Sequence, residues 1–214
     1  MCNDLGKFKL DTDNAVLVVI DIQERLVPAM PQKVYLRLRD TVEMLVSAAE
    51  LLGVPVVTTE QYPKGIGHTV PELANACKDN LIEKVSFGCC GEPNFLAALK
   101  DLGRSQVIIA GMEAHVCVYQ TVLGLLEDGY HIHLLRDAIC SRNKTDYLSG
   151  MDNAAQAGAV VTVETAHEEH REKRDTDARQ LFRTVRRLSS SAALAWPLSQ
   201  AAHSSASSAA APSW

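Results

Sequence analysis

Aromatic residues are scarce in this chain, at 5% of its 214 residues. It therefore lacks the interleaved aromatic and basic stripe on which single-stranded nucleic acid stacks. Basic residues are outnumbered too, 21 Lys+Arg against 26 Asp+Glu, for a net charge of −5. The imbalance is larger in the body, because residues 167–187 hold seven basic and five acidic side chains, leaving 14 against 21 in the first 166. An acidic body weighs against a nucleic-acid backbone as principal partner. No apolar run approaches the ~20 residues of a membrane helix, so no membrane partner is expected. The six cysteines form no C-x-x-C pair and no short disulfide frame, and Cys89 and Cys90 are adjacent and poorly placed to bridge each other. Reduced thiols in a cytosol-like compartment follow. Residues 1–13 show neither an apolar signal core nor an Arg/Ser-rich amphipathic helix, so no leader is expected. The expected location is cytoplasmic, with an organelle such as the mitochondrion left open.

What the chain does have is a globular composition, 47% hydrophobic and 22% charged, at a length that can bury a full core. Apolar runs recur at βα spacing. Ala15–Ile20 is followed by a helical pattern over about 32–52, in which Leu38, Val42, Leu45, Val46, Ala49 and Leu52 share one face before Gly53. Further strands are expected at 54–58, 81–85, 106–110, 131–135 and 159–163. Helices are expected from Val70 or Pro71, over 93–102, from 112–115 to about Gly129, and over 145–157. Strands rich in Val and Ile without polar alternation are covered on both faces. The expected fold is α/β, a six-stranded parallel doubly wound sheet with helices on both faces. An N-terminal extension (1–13) would precede one domain (14–188). A last amphipathic helix is expected over 175–188, then a tail (189–214) in which 18 of 26 residues are Ser or Ala, a composition typical of disorder.

In such a sheet the ligand crevice lies beyond the carboxyl ends of the strands. Asp21-Ile22-Gln23 follows the first strand, Glu60-Gln61-Tyr62 the second, and Lys84 ends the third. Gly111 to Cys117 follows the fourth, and Arg136-Asp137 the fifth. A carboxylate, an ammonium and a thiol thus meet on one rim. Cys117 falls in the first turns of a helix, where free N–H groups and a nearby lysine favour a thiolate. Nucleophile, base and orienting cation would then be present. By spacing alone, Cys117 serves equally well as a buried small hydrophobe.

The motifs V-V-I-D-I-Q at 18–23, Lys84-Val85-Ser86-Phe87 and G-M-E-A-H-V-C-V at 111–118 resemble those of isochorismatase-like cysteine hydrolases, a superfamily that includes nicotinamidases. Q-E-R at 23–25, T-E-Q-Y-P-K-G-I-G at 59–67 and D-A-I-C-S-R at 137–142 resemble the isochorismatase domain-containing subgroup. The resemblance implies a catalytic triad of Asp21, Lys84 and Cys117 and a cis peptide between Met112 and Glu113. It also implies an oxyanion site from the backbone N–H groups of Glu113 and Cys117. The implied reaction is hydrolysis of a small amide or related carbonyl through a thioester, without a cofactor.

The sequence departs from nicotinamidase-type relatives at their Asp-x-His metal site, where it has Glu60-Gln61-Tyr62, so no metal is expected. Gln23, Gln61, Tyr62 and Phe87 are candidates to line a substrate pocket. Gln23 is weighted toward structural support of Asp21, and Gln61 and Tyr62 equally toward a subunit contact. His115 is assigned to capping or packing, and Arg142 is expected to pair with Asp137. Cys89, Cys90 and Cys140 are expected to be inert, and 167–174 to be a solvated charge run. A homo-oligomer is expected, through the rim loop 62–67. The rival classes are a non-catalytic scaffold of the same fold and a ribonuclease.

Overall fold

Alternate residues of the first strand face opposite ways, and all six of them are buried. Val16, Val18 and Ile20 join one apolar cluster, and Ala15, Leu17 and Val19 join another on the far face. The sheet built around this strand is therefore packed on both sides. In the computed structural model, which describes residues 5–162, the elements run as follows. Strand β1 (Ala15–Ile20) leads to helix α1 (Gln32–Leu52), which ends at Gly53 in the left-handed conformation. Then come β2 (Val56–Gln61), the single turns α2 (Pro63–Ile66) and α3 (Pro71–Ala74), β3 (Leu81–Lys84) and α4 (Pro93–Leu102). Next is β4 (Gln106–Met112), with a π-helical turn over Ala114–Val118 that runs into α5 (Tyr119–Glu127). The last elements are β5 (His131–Cys140), α6 (Lys144–Ala157) and β6 (Val160–Thr162).

All six strands are parallel, in the order β3-β2-β1-β4-β5-β6. The order reverses between β1 and β4, so the crevice opens there, beyond Ile20 and Met112. At this point Gly111 has φ +130° and lies so close to β1 that a Cβ would sit 2.1 Å from the Ile20 carbonyl oxygen. No other residue type fits that approach. One cluster packs α1 against the sheet through Leu38, Val42 and Leu45. The other packs α4, α5 and α6 through Phe95, Leu99, Val122, Leu125 and Met151.

Three expectations are corrected. The loop after β2 contains a helical turn, α2, beginning at Pro63. Strand β5 continues to Cys140, past a register irregularity opposite Ile109 and Gly111, so Arg136 and Asp137 lie inside the strand and not on the rim. The charged pair interrupts the apolar pattern but not the ladder. Cys117 lies in a π-helical turn, not in the first turns of a regular α-helix. The N-terminal extension is fastened to the body, because Gln106 accepts the N–H of Asp11 at 2.8 Å and donates to the Lys9 carbonyl at 2.7 Å. The expected helix at 175–188, the charge run at 167–174 and the tail lie outside the described residues. Among the described residues, no helix is long and apolar enough to cross a membrane.

Candidate functional site

Asp21 is the first residue after β1, and it sits there with φ +51°. A non-glycine residue rarely adopts this backbone, and such strain gathers where surrounding contacts dictate a side chain's direction. Those contacts are visible. The Thr59 hydroxyl, from β2, donates to Asp21 Oδ1 at 2.7 Å. Lys84 Nζ, from the end of β3, donates to Asp21 Oδ2 at 2.6 Å, with both side chains fully buried.

Lys84 reaches this carboxylate across the whole width of β2, its extended stem making up for the intervening strand. On the way its ammonium meets Gln61 Oε1 at 2.9 Å and the Phe87 carbonyl at 3.0 Å, with the Ser86 carbonyl at 3.3 Å. A buried ammonium needs an acceptor for each of its protons, and these oxygens supply them. Burial nonetheless pushes the Asp21 carboxyl above its usual range, against the opposing pull of Lys84, Thr59 and Cys117.

The third expected residue arrives from the other side of the switch point. Cys117 is 7% exposed, and its thiol lies close enough to the Asp21 carboxylate to feel its charge. Burial first, and the Asp21 charge second, push this thiol up to about 12, with Lys84 pulling the other way. Burial thus opposes the thiolate that the helix end and the lysine were expected to favour. Desolvation is the larger influence, and the lysine opposes it. Thr121 Oγ1 donates to the Cys117 carbonyl at 2.6 Å and accepts the N–H of Cys89 at 2.9 Å, tying the turn to the segment after β3. The Met112–Glu113 peptide is cis.

Gln23 is wholly buried and serves the neighbouring loop, not Asp21. Its Nε2 donates to the carbonyls of Gln61 at 3.0 Å and Gly67 at 2.5 Å, and its Oε1 accepts the Gln61 N–H at 2.7 Å. Gln61 touches Lys84 as described and donates to the Val85 carbonyl at 2.7 Å, so its amide is committed to the framework. Tyr62 and Phe87, by contrast, are 52% and 57% exposed on the rim. Val85, at 79%, continues this apolar edge.

At the place where an Asp-x-His metal site was considered, the Glu60 carboxylate already has partners. It accepts the N–H of Thr69 at 2.5 Å, the Thr69 hydroxyl at 2.8 Å and, on its other oxygen, His68 Nδ1 at 3.0 Å. Among the described residues no group of three or more His, Cys, Asp or Glu side chains is arranged to hold a metal ion. The donor set does not fit one.

Sequence reasoning missed Thr59 and Thr121, because a threonine in a strand or helix carries no local sign of its partner. It also missed the partner of Arg142. That guanidinium grips Glu113, where Asp137 was expected. His115 faces Ser141 Oγ at 3.2 Å, in keeping with a packing role.

The isochorismatase domain model matches residues 15–166. The chain is 38% identical over 160 residues to isochorismatase domain-containing protein 2 from Danio rerio, covering 74% of this chain and 79% of that one. Among solved structures it is similar to the MAR1 ribonuclease from Caenorhabditis elegans, at 33% identity and a TM-score of 0.69, covering 90% of this chain and 100% of the other. The YcaC gene product from Escherichia coli, described as an octameric hydrolase of unknown specificity, shares the fold. Its TM-score is 0.69 at 24% identity, over 82% of this chain and 90% of that one.

Proposed function

This chain belongs to the isochorismatase family, and from that premise we propose that it is a cysteine hydrolase acting on a small amide or related carbonyl compound. The observation that carries the proposal is the convergence of three side chains, Lys84 paired with Asp21 and Cys117 beside that carboxylate, brought together from the ends of β3 and β1 and the turn after β4. Asp21 accepts the thiol proton as Cys117 Sγ attacks the carbonyl carbon. The raised carboxyl makes it a stronger base for that step than an ordinary aspartate. The oxyanion is held by the backbone N–H groups of Glu113 and Cys117. The leaving amine takes the proton back from Asp21 as the C–N bond breaks, leaving a thioester. Asp21 then deprotonates water, which attacks the thioester and releases the acid, and the thiol is restored. Lys84 keeps Asp21 oriented and balances its charge throughout. No step passes through a metal.

Turnover of a panel of small amides tests this, with Cys117→Ala as control. Amide hydrolysis that disappears in the control is the expected result. Hydrolysis that survives it would mean that another group is the nucleophile.

The likeness to a ribonuclease favours a second reading, RNA cleavage. The acidic body and the fully buried charged pair speak against it. A defined RNA oligonucleotide belongs in the same panel, at low and moderate salt, because phosphate-driven binding weakens steeply with salt. We also infer a homo-oligomer, joined across the apolar edge of Tyr62, Val85 and Phe87. A mass above that of one chain, by light scattering at micromolar concentration, is the expected result. A monomeric mass would leave this edge to substrate alone.

A further inference from the structure

The turn that carries Cys117 is held from outside by an ion pair that the chemistry above does not use. Glu113 follows β4 directly, and its side chain is 7% exposed, against 52% for the Arg142 side chain that grips it. Arg142 Nε donates to the two carboxylate oxygens at 2.9 and 3.2 Å, Nη2 donates to Oε1, and the Arg142 backbone N–H faces Oε2 at 3.3 Å. A planar fork of this kind dictates direction as well as distance.

The Glu113 carbonyl in turn accepts the N–H groups of Val116 at 3.1 Å and Val118 at 3.2 Å. The backbone on both sides of Cys117 thus hangs from the residue that Arg142 grips. From the same direction, Gly150 of α6 passes so close that a Cβ there would lie 2.6 Å from the Ala114 carbonyl. None of these groups bonds to Asp21 or Lys84.

We propose that Arg142 is a positioning residue for the nucleophile. By gripping Glu113 it fixes the 113–118 turn, so that the Cys117 sulfur faces Asp21 and the backbone N–H groups face the developing oxyanion. The proposal rests on the reading of Cys117 as nucleophile. A side chain that only filled space here would need bulk and not a fork. One that sets orientation loses its function when the fork is lost, because a displacement of about 1 Å at a reacting atom costs on the order of 100-fold in rate.

The test uses the full chain with Arg142→Ala, Arg142→Lys and Glu113→Gln. For each, kcat and KM are measured on an amide that the wild type hydrolyses, together with the rate at which iodoacetamide alkylates Cys117. In Arg142→Ala, kcat should fall on the order of 10- to 100-fold while KM stays within about threefold. Arg142→Lys should recover little, since an ammonium cannot span both oxygens. Added methylguanidinium should restore Arg142→Ala several-fold, because the guanidinium site is half open to solvent. Glu113→Gln should lose a similar factor.

Wild-type kcat and wild-type alkylation in Arg142→Ala would overturn the proposal. So would a loss that lysine repairs and methylguanidinium does not. If Arg142→Ala fails to fold, the isosteric Glu113→Gln decides, and wild-type kcat there overturns it. A wild type with no Cys117-dependent turnover would refute the nucleophile itself, and the alkylation rates would still score the clamp.

Discussion

Lys84→Met should lower the stability of the fold by about 3–5 kcal/mol, the usual cost of leaving one member of a buried ion pair alone. Methionine fills the space of the lysine stem. The loss is therefore electrostatic: Asp21 keeps its burial and the Thr59 hydroxyl but loses the ammonium at 2.6 Å. The carboxyl, already raised by burial, rises further. For a group whose folded-state pKa is raised, stability is fully present below the unfolded value and is lost as pH climbs through the folded one. The variant should accordingly be hurt less near pH 5 than near pH 8. Urea unfolding at the two pH values checks both the size and the sign. Adding Asp21→Asn to Lys84→Met should recover part of the loss, because the stranded charge is then gone. A Lys84→Met protein within 1 kcal/mol of wild type at pH 8 would mean that the pair is not coupled as its geometry demands.

The second large effect concerns the thiol. Burial pushes the Cys117 thiol up to about 12, so its ionised fraction at pH 7 should lie orders of magnitude below the few per cent of a free cysteine. Alkylation of Cys117 in the folded protein should be on the order of 10³-fold slower than that of a model thiol at pH 7. It should climb about tenfold per pH unit through pH 10, without a neutral plateau. Asp21→Asn should speed alkylation, because it removes the charge that opposes the thiolate, and should abolish hydrolysis, because it removes the base. Mass spectrometry of the labelled peptide across pH 7–10 reads the wild type and the variant. A plateau below pH 8 would show that Lys84 wins over burial after all. A profile without a neutral plateau would make proton transfer to Asp21 part of the catalytic event, not a step completed before substrate arrives.

The sequence by itself determined most of the scaffold. Unbroken runs such as Ala15–Ile20 can only be covered on both faces, and that requirement dictates a parallel sheet between two helical layers. Gly53 and Gly103 stop their helices in the left-handed conformation because no side chain opposes it there. Pro93 opens α4 because its missing N–H is not needed in a first turn. Asp21 and Lys84 were legible as residues at strand ends and Cys117 as part of the segment after β4, and the motifs that resemble the family singled them out. The Asp137 partner for Arg142 was misjudged, and the burial that opposes a Cys117 thiolate was not foreseen.

Both misjudgements have one cause. Partner choice and desolvation depend on distances between segments remote in sequence, about which local pattern says nothing. Only the tertiary structure decided that β5 would run on past its charged pair, bringing Arg142 over Glu113. It alone decided that Lys84 would cross β2 to Asp21, and that Cys117 would be buried deeply enough for desolvation to outweigh the lysine beside it.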